Sequence, residues 1–197
     1  MFKRTKGYFL LTMLVLTGLA GRLHTDTLSA KERHYLVTGL KTSRTEFLKS
    51  IEGLSDRQLH FKASKGQLTI QDCIYQLASV EKELWLDAKT SLKLEPQSLQ
   101  KTVSDDQQLA ALIQQEKMVV QKKSGFKKSS DVLKFYRSQR MQMIRYVQTT
   151  TENVRTHILK TELANFDVYQ TLLLNTFYAG HYTQQIEHIK SNPRFPK

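Results

Sequence analysis

Thr69–Trp85, TIQDCIYQLASVEKELW, decides how the chain is read. Thr69 and Asp72 can cap a helix reciprocally, and Ile70, Cys73, Ile74, Leu77, Val80, Leu84 and Trp85 then recur at three- and four-residue spacing. Strands alternate with a period of two; this stretch does not. A helix is therefore expected from Thr69 to about Ser91, and the same spacing recurs on both sides of it. Ser29-Ala-Lys-Glu32 opens a first helix with a capping box, running to about Glu52 on Leu36, Leu40, Phe47, Leu48 and Ile51, with Gly53 as its stop. Leu54 to Leu59 reads as a short capped turn, and His60 to Gln67 as a loop. A third long helix opens at Ser129 or Ser130 on Val132, Leu133, Phe135, Tyr136, Met141, Ile144 and Val147, ending near Thr151. The fourth takes Asp167 as N-cap, follows Val168, Leu172, Thr176, Ala179, Thr183 and Ile186, and stops at Asn192-Pro193. Gly180, inside it, is expected at a close helix contact.

With only three prolines and eight glycines in 197 residues, the expected class is all-α with little or no sheet, in one domain. Between Leu94 and Ser129 lies a polar stretch with Pro96, a short helix from about Ser104 to Gln121, and a basic loop at Lys122, Lys123, Lys127 and Lys128. A connection this long permits a crossover between the second and third helices.

At the N-terminus, Lys3, Arg4 and Lys6 precede an apolar run from Tyr8 to Ala20. Thirteen helical residues reach ~20 Å, short of a hydrocarbon core of about 30 Å. Residues 1–20 are expected to be a secretory leader cleaved after Ala20, with export to the periplasm or outside the cell. A linker over 21–28, the bundle over 29–192 and a tail over 193–197 would follow, with no stable membrane insertion after cleavage. The formal charge is +12, and without the three basic residues of the leader it is +9, so the basic balance belongs to the mature chain. That favours anionic partners without specifying one, and export counts against DNA. Cys73, the only cysteine, permits no internal disulfide and reads as a buried apolar residue. There is no Ser/His/Asp order, no glycine-rich phosphate loop and no CxxC pair.

Leu54-Ser55-x-x-Gln58-Leu59, then Leu68-Thr69-Ile70-Gln71-Asp72 leading to Gln76-Leu77-Ala78-x-x-Glu81, then His181-x-x-x-Gln185-x-x-His188, together resemble the DinB superfamily, in particular its exported members. The resemblance spans about residues 28 to 191. It implies an up-down-down-up four-helix bundle, commonly a homodimer, and in many members a divalent metal (Zn, Ni or Mn) held by three histidines. Some members are thiol-dependent transferases. Carried over by position, those histidines fall on Gln76, His181 and Gln185, so one of three is retained. Glutamine offers a neutral carbonyl oxygen where zinc or nickel prefers nitrogen or sulfur. The resemblance therefore implies a degenerate metal site and no cofactor.

Tyr178, His181, Gln185 and His188 form a polar strip by spacing, expected to face Gln76 and to serve as a hydrogen-bonded layer or small-ligand site. Glu81 and Arg140 are read as solvated surface charges, Arg140 with Arg137 and Arg145. His24, His34, His60 and His157 are read as ordinary exposed histidines. Two other readings stay open: a metal-dependent hydrolase or thiol-dependent transferase, and a basic envelope protein that binds anionic lipid or polymer.

Overall fold

The structure is a computed structural model that describes residues 27–96, 106–115, 129–160 and 164–197. The leader and its cleavage position, His24, and the lysines from Lys122 to Lys128 lie outside the described residues, as do the ends expected for the short crossover helix.

Three of the four long helices begin on a capping box. α1 (Ala30–Ser50) starts on the Ser29/Glu32 box, α2 (Asp56–Leu59) is one turn on Ser55/Gln58, and α3 (Ile70–Ser91) starts on Thr69/Asp72. α4 (Asp106–Gln115) follows in the crossover, then α5 (Ser129–Thr149). A hairpin of β1 (Ile158–Lys160) and β2 (Asn165–Asp167) precedes α6 (Val168–Lys190), which starts on an Asp167/Gln170 box. The expected stop after α1 is met at Gly53, whose φ of 71° is one that L side chains rarely adopt.

A single short antiparallel hairpin, with Leu159 opposite Phe166, is the sheet present among the described residues, in keeping with the expectation of little or no sheet. Three-residue strands are too short to show a period of two. The Val168 amide donates to the His157 carbonyl at 3.1 Å, so the hairpin leads directly into α6.

The four long helices pack as a ring in the order α1, α6, α3, α5. Paired contacts give their directions. Phe47 meets Tyr136, Ser43 meets Arg140 and Arg33 meets the Val147 and Thr150 carbonyls, so α1 and α5 run antiparallel. Glu81 meets Arg140 and Trp85 meets Tyr146, so α3 and α5 run parallel. Gly39 lies against Thr176 and Ser50 against Lys190, so α1 and α6 run parallel. Up-down-down-up follows, and the crossover is what lets α3 and α5 share a direction.

The core divides into two apolar clusters. One gathers Leu36, Leu40, Trp85, Met143, Val147 and Leu172; the other gathers Phe47, Ile74, Leu77, Tyr136, Ala179 and Ile186. α6 is buried on all sides from Val168 to Asn175, because α4 packs on it with Leu109 and Ile113. The face expected for α6 is therefore too narrow there.

Two local expectations are corrected. A Cβ added at Gly180 would meet nothing within 4 Å; the close approach is at Gly39, where it would lie 3.2 Å from Thr176 Cγ2. Met141, expected in the core, is 58% exposed, and Met143 takes the buried position.

Candidate functional site

Gln76 lies in the second turn of α3, 6% exposed, within the Ile74–Leu77 cluster. The α6 residue that reaches it is Tyr182, whose hydroxyl donates to Gln76 Oε1 at 3.1 Å. Tyr182 belongs to the buried series Asn175, Ala179, Tyr182, Ile186 and Ile189. His181 precedes it by one residue, ~100° around the helix, and is half-buried with its ring edge-on to Tyr182 at 5.9 Å between centroids. Tyr178 and Gln185 are half-buried and His188 is exposed. The expected strip thus runs from the core's edge to solvent. The interior contact with Gln76 comes from a residue outside it, whose signal in the sequence was the apolar spacing of Ala179, Ile186 and Ile189.

Gln76 Nε2 is buried and has no hydrogen-bond partner among the described residues. A buried amide donor without a partner carries its desolvation cost uncompensated, so it is the unspent hydrogen-bonding group of this site.

A second polar group lies one turn along α3, between the two apolar clusters. Glu81 and Arg140 are both fully buried, which corrects their reading as surface charges. Arg140 Nε donates to Glu81 Oε1 and Oε2 at 3.0 and 2.9 Å, and Nη2 donates to Glu81 as well. Nη1 reaches Ser43 Oγ at 3.2 Å and Nη2 the Asn175 carbonyl at 2.5 Å, while the guanidinium lies 5.6 Å from the Tyr136 ring centre. Burial alone would lower the pKa of Arg140, but the Glu81 carboxylate holds it raised and the guanidinium charged. Both Glu81 oxygens are occupied by Arg140, so Glu81 is not placed as a general base.

Neither polar group is a fitting metal centre. Among the described residues no three His, Cys, Asp or Glu side chains come together as a metal-binding group. The positions the resemblance assigns, Gln76, His181 and Gln185, offer one imidazole and two amides, and the Gln76 oxygen is engaged by Tyr182. The donor set does not suit Zn, Ni or Mn, and no reaction step is derived through a metal. Burial, with Asp72 beside it, pushes the Cys73 thiol up to about 12, so it is not a thiolate at neutral pH. His34 and His60 are exposed as expected, whereas His157 is 9% exposed, its Nδ1 2.7 Å from the Asn153 carbonyl. Open grooves of about 570 and 360 Å³ lie at α2, α3 and α5 and at α3 and β1, and neither is lined by Gln76, His181 or Gln185.

No known family's sequence profile matches the chain, and no curated protein does. The fold does have a counterpart. A solved structure of YfiT from Bacillus subtilis, described as a probable metal-dependent hydrolase with an unusual four-helix bundle topology, matches with a TM-score of 0.60. The match covers 83% of this chain and 89% of YfiT at 14% identity. The architecture is the four-helix bundle topology of YfiT. At that identity the likeness is one of fold alone.

Proposed function

We propose that this chain is an exported DinB/YfiT-like bundle that works without a catalytic metal and takes a small ligand near Gln76, His181 and Gln185. The observation that carries the reading is the hydrogen bond from Tyr182 to Gln76 Oε1, which occupies the one donor atom that glutamine could offer a metal. The ligand class follows from what is left: Gln76 Nε2 lacks an acceptor, so an uncharged molecule with a carbonyl or similar oxygen matches it. Export rests on the leader pattern of residues 1–20.

The test is elemental analysis of protein purified without chelator or nickel, with thermal melts in added zinc, nickel and manganese. The reading expects no bound metal and no rise in melting temperature. About one metal per chain, with a rise that His181→Ala abolishes, overturns it and transfers to this chain the metal-dependent hydrolase description given to YfiT.

A further inference from the structure

The outer seam between α1 and α5 is strongly and one-sidedly basic. Because the two helices run antiparallel with Phe47 beside Tyr136 and Ser43 beside Arg140, the same register sets Arg44 opposite Arg137 and Lys41 opposite Met141. Helical geometry fixes the side. Arg33 reaches the α5 carbonyls, and Lys41 and Arg44 lie on that same flank of α1 at ~100° per residue. On α5, Tyr146 turns toward Trp85 of α3, so Arg137 and Met141, on the opposite flank, turn toward α1.

Lys41, Arg137 and Arg145 are exposed, as is Lys134, and Arg44 is half-buried. None of the five forms an ion pair with a described residue. The acids of these two helices do not neutralise them. Glu32 is bonded to Arg155 and Ser29, Glu46 lies on the flank of α1 away from α5, and Asp131, one turn before Lys134, forms no ion pair with it. The exposed charges of α3 are, by contrast, mixed in sign: Lys82, Glu83, Asp87 and Lys89. In the midst of the cations stands Met141, an apolar side chain that is 58% exposed.

We infer that the α1–α5 seam is a docking surface for an anionic phospholipid bilayer. Lysine and arginine satisfy lipid phosphates, and an apolar side chain among them gains by entering the boundary between headgroups and acyl chains. An anionic polymer would use the charges but would leave Met141 without a role. Docking of this kind is peripheral, since no described helix is long and apolar enough to cross a membrane. It is independent of the reading for Gln76, which lies inside the bundle.

The experiment is co-sedimentation of the full chain with phosphatidylcholine vesicles and with equimolar phosphatidylcholine and phosphatidylglycerol vesicles. The quantity read is the anionic increment, the difference between the two, of each variant relative to the parent chain, so that the N-terminal run with Lys3, Arg4 and Lys6 contributes equally to every protein compared. A basic side chain near an anionic leaflet contributes roughly fivefold to partition, so Lys41→Gln/Arg44→Gln/Arg137→Gln lowers the anionic increment by about tenfold or more. Lys134→Gln/Arg145→Gln, at exposed positions where folding is not at stake, lowers it several-fold, and Met141→Ser lowers it without changing binding to heparin. Lys82→Gln/Lys89→Gln/Lys93→Gln removes the same charge from the α3 side and leaves it nearly unchanged. Equal losses for the α3 and seam variants overturn the proposal, as does an absent anionic increment. Seam-dependent binding to heparin with none to vesicles also overturns it, in favour of a polymer partner.

Discussion

Arg140 and Glu81 face each other, wholly buried, at the level where the bundle's two apolar clusters meet. The same level is polar on every long helix: Ser43 on α1, Glu81 on α3, Gln139 and Arg140 on α5, Asn175 on α6. Arg140 touches all three partner helices, at Ser43, Glu81 and the Asn175 carbonyl. A layer of this kind fixes register, because sliding any helix by a turn would leave a buried charge facing leucine.

Breaking that pair from one side strands a buried charge. Arg140→Met or Glu81→Leu alone should therefore cost about 3–5 kcal/mol, whereas the double variant, with both charges gone, should recover most of the loss. Urea melts of the three variants measure this. A double variant as damaged as the sum of the singles would show that Arg140's bonds to Ser43 and Asn175, and not the ion pair, dominate the layer.

The two glycines of α1 and α6 make opposite predictions. Gly180→Ala meets open space, so it should stabilise by up to about 1 kcal/mol through helix propensity and unfolded-chain entropy. Gly39→Ala has the same propensity gain, but its Cβ would lie 3.2 Å from Thr176 Cγ2 on a packed neighbour, so α1 and α6 must separate slightly and the gain should vanish or reverse. Thermal melts of the two single variants side by side decide it. A destabilised Gly180→Ala would mean that α6 needs its glycine for a reason other than space.

The capped ends and apolar faces were legible in the sequence because capping boxes and three- and four-residue spacing are local signals. The box at Ser29, the capped turn at Ser55, the helix start at Thr69 and the cap at Asp167 all form where they were expected. The polar layer was not legible, because nothing near Glu81 or Arg140 in sequence distinguishes an inward charge from an outward one. The two residues lie 59 positions apart and explain each other only once α3 and α5 are packed side by side. Met141 and Met143 were exchanged for a similar reason, both fitting a broad apolar stripe until the buried residues Val132, Tyr136, Gln139 and Val147 set its centre on the Met143 side. Helical spacing set His181 and Gln185 on one flank of α6 but did not single out Tyr182, whose hydroxyl is a polar tip on a residue placed by its apolar body.

Arg155 makes the start of α1 depend on pH through Glu32. It donates to Glu32, which belongs to the α1 capping box, and to Asp167 Oδ2 at 3.0 Å at the start of α6, and its guanidinium lies 3.7 Å from the Tyr169 ring centre. Burial would push the Glu32 carboxyl up, but the hydrogen bonds from Arg155 and Ser29 prevail and hold it below the ordinary carboxylate range. A depressed folded-state value means stabilisation that is present at neutral pH and is lost as pH falls through that value. Glu32→Gln should thus melt a few degrees below the parent at neutral pH, and the two curves should converge as pH falls through the lowered folded-state value, where Glu32 is itself protonated. A gap that stays constant with pH would assign the effect to the shape of the cap and not to its charge.

The Tyr182–Gln76 contact allows the metal-free reading to be tested by adding ligands. Tyr182→Phe alone should cost about 1–3 kcal/mol, since Gln76 Oε1 loses its donor in a site that water does not readily reach. Adding Gln76→His and Gln185→His to that background then gives three imidazoles with His181, two of them four residues apart on one flank of α6 and the third on the helix packed against it. Zinc that binds only the folded form raises stability by about 2.7 kcal/mol at a hundredfold excess over its dissociation constant, so the triple variant should gain a zinc-dependent rise in melting temperature. His181→Ala in the same background should remove that rise. Its absence from the triple variant would mean that Gln76 does not occupy the position the resemblance assigns, and that the geometry of α3 and α6, and not the loss of two histidines, is what keeps this bundle from holding a metal.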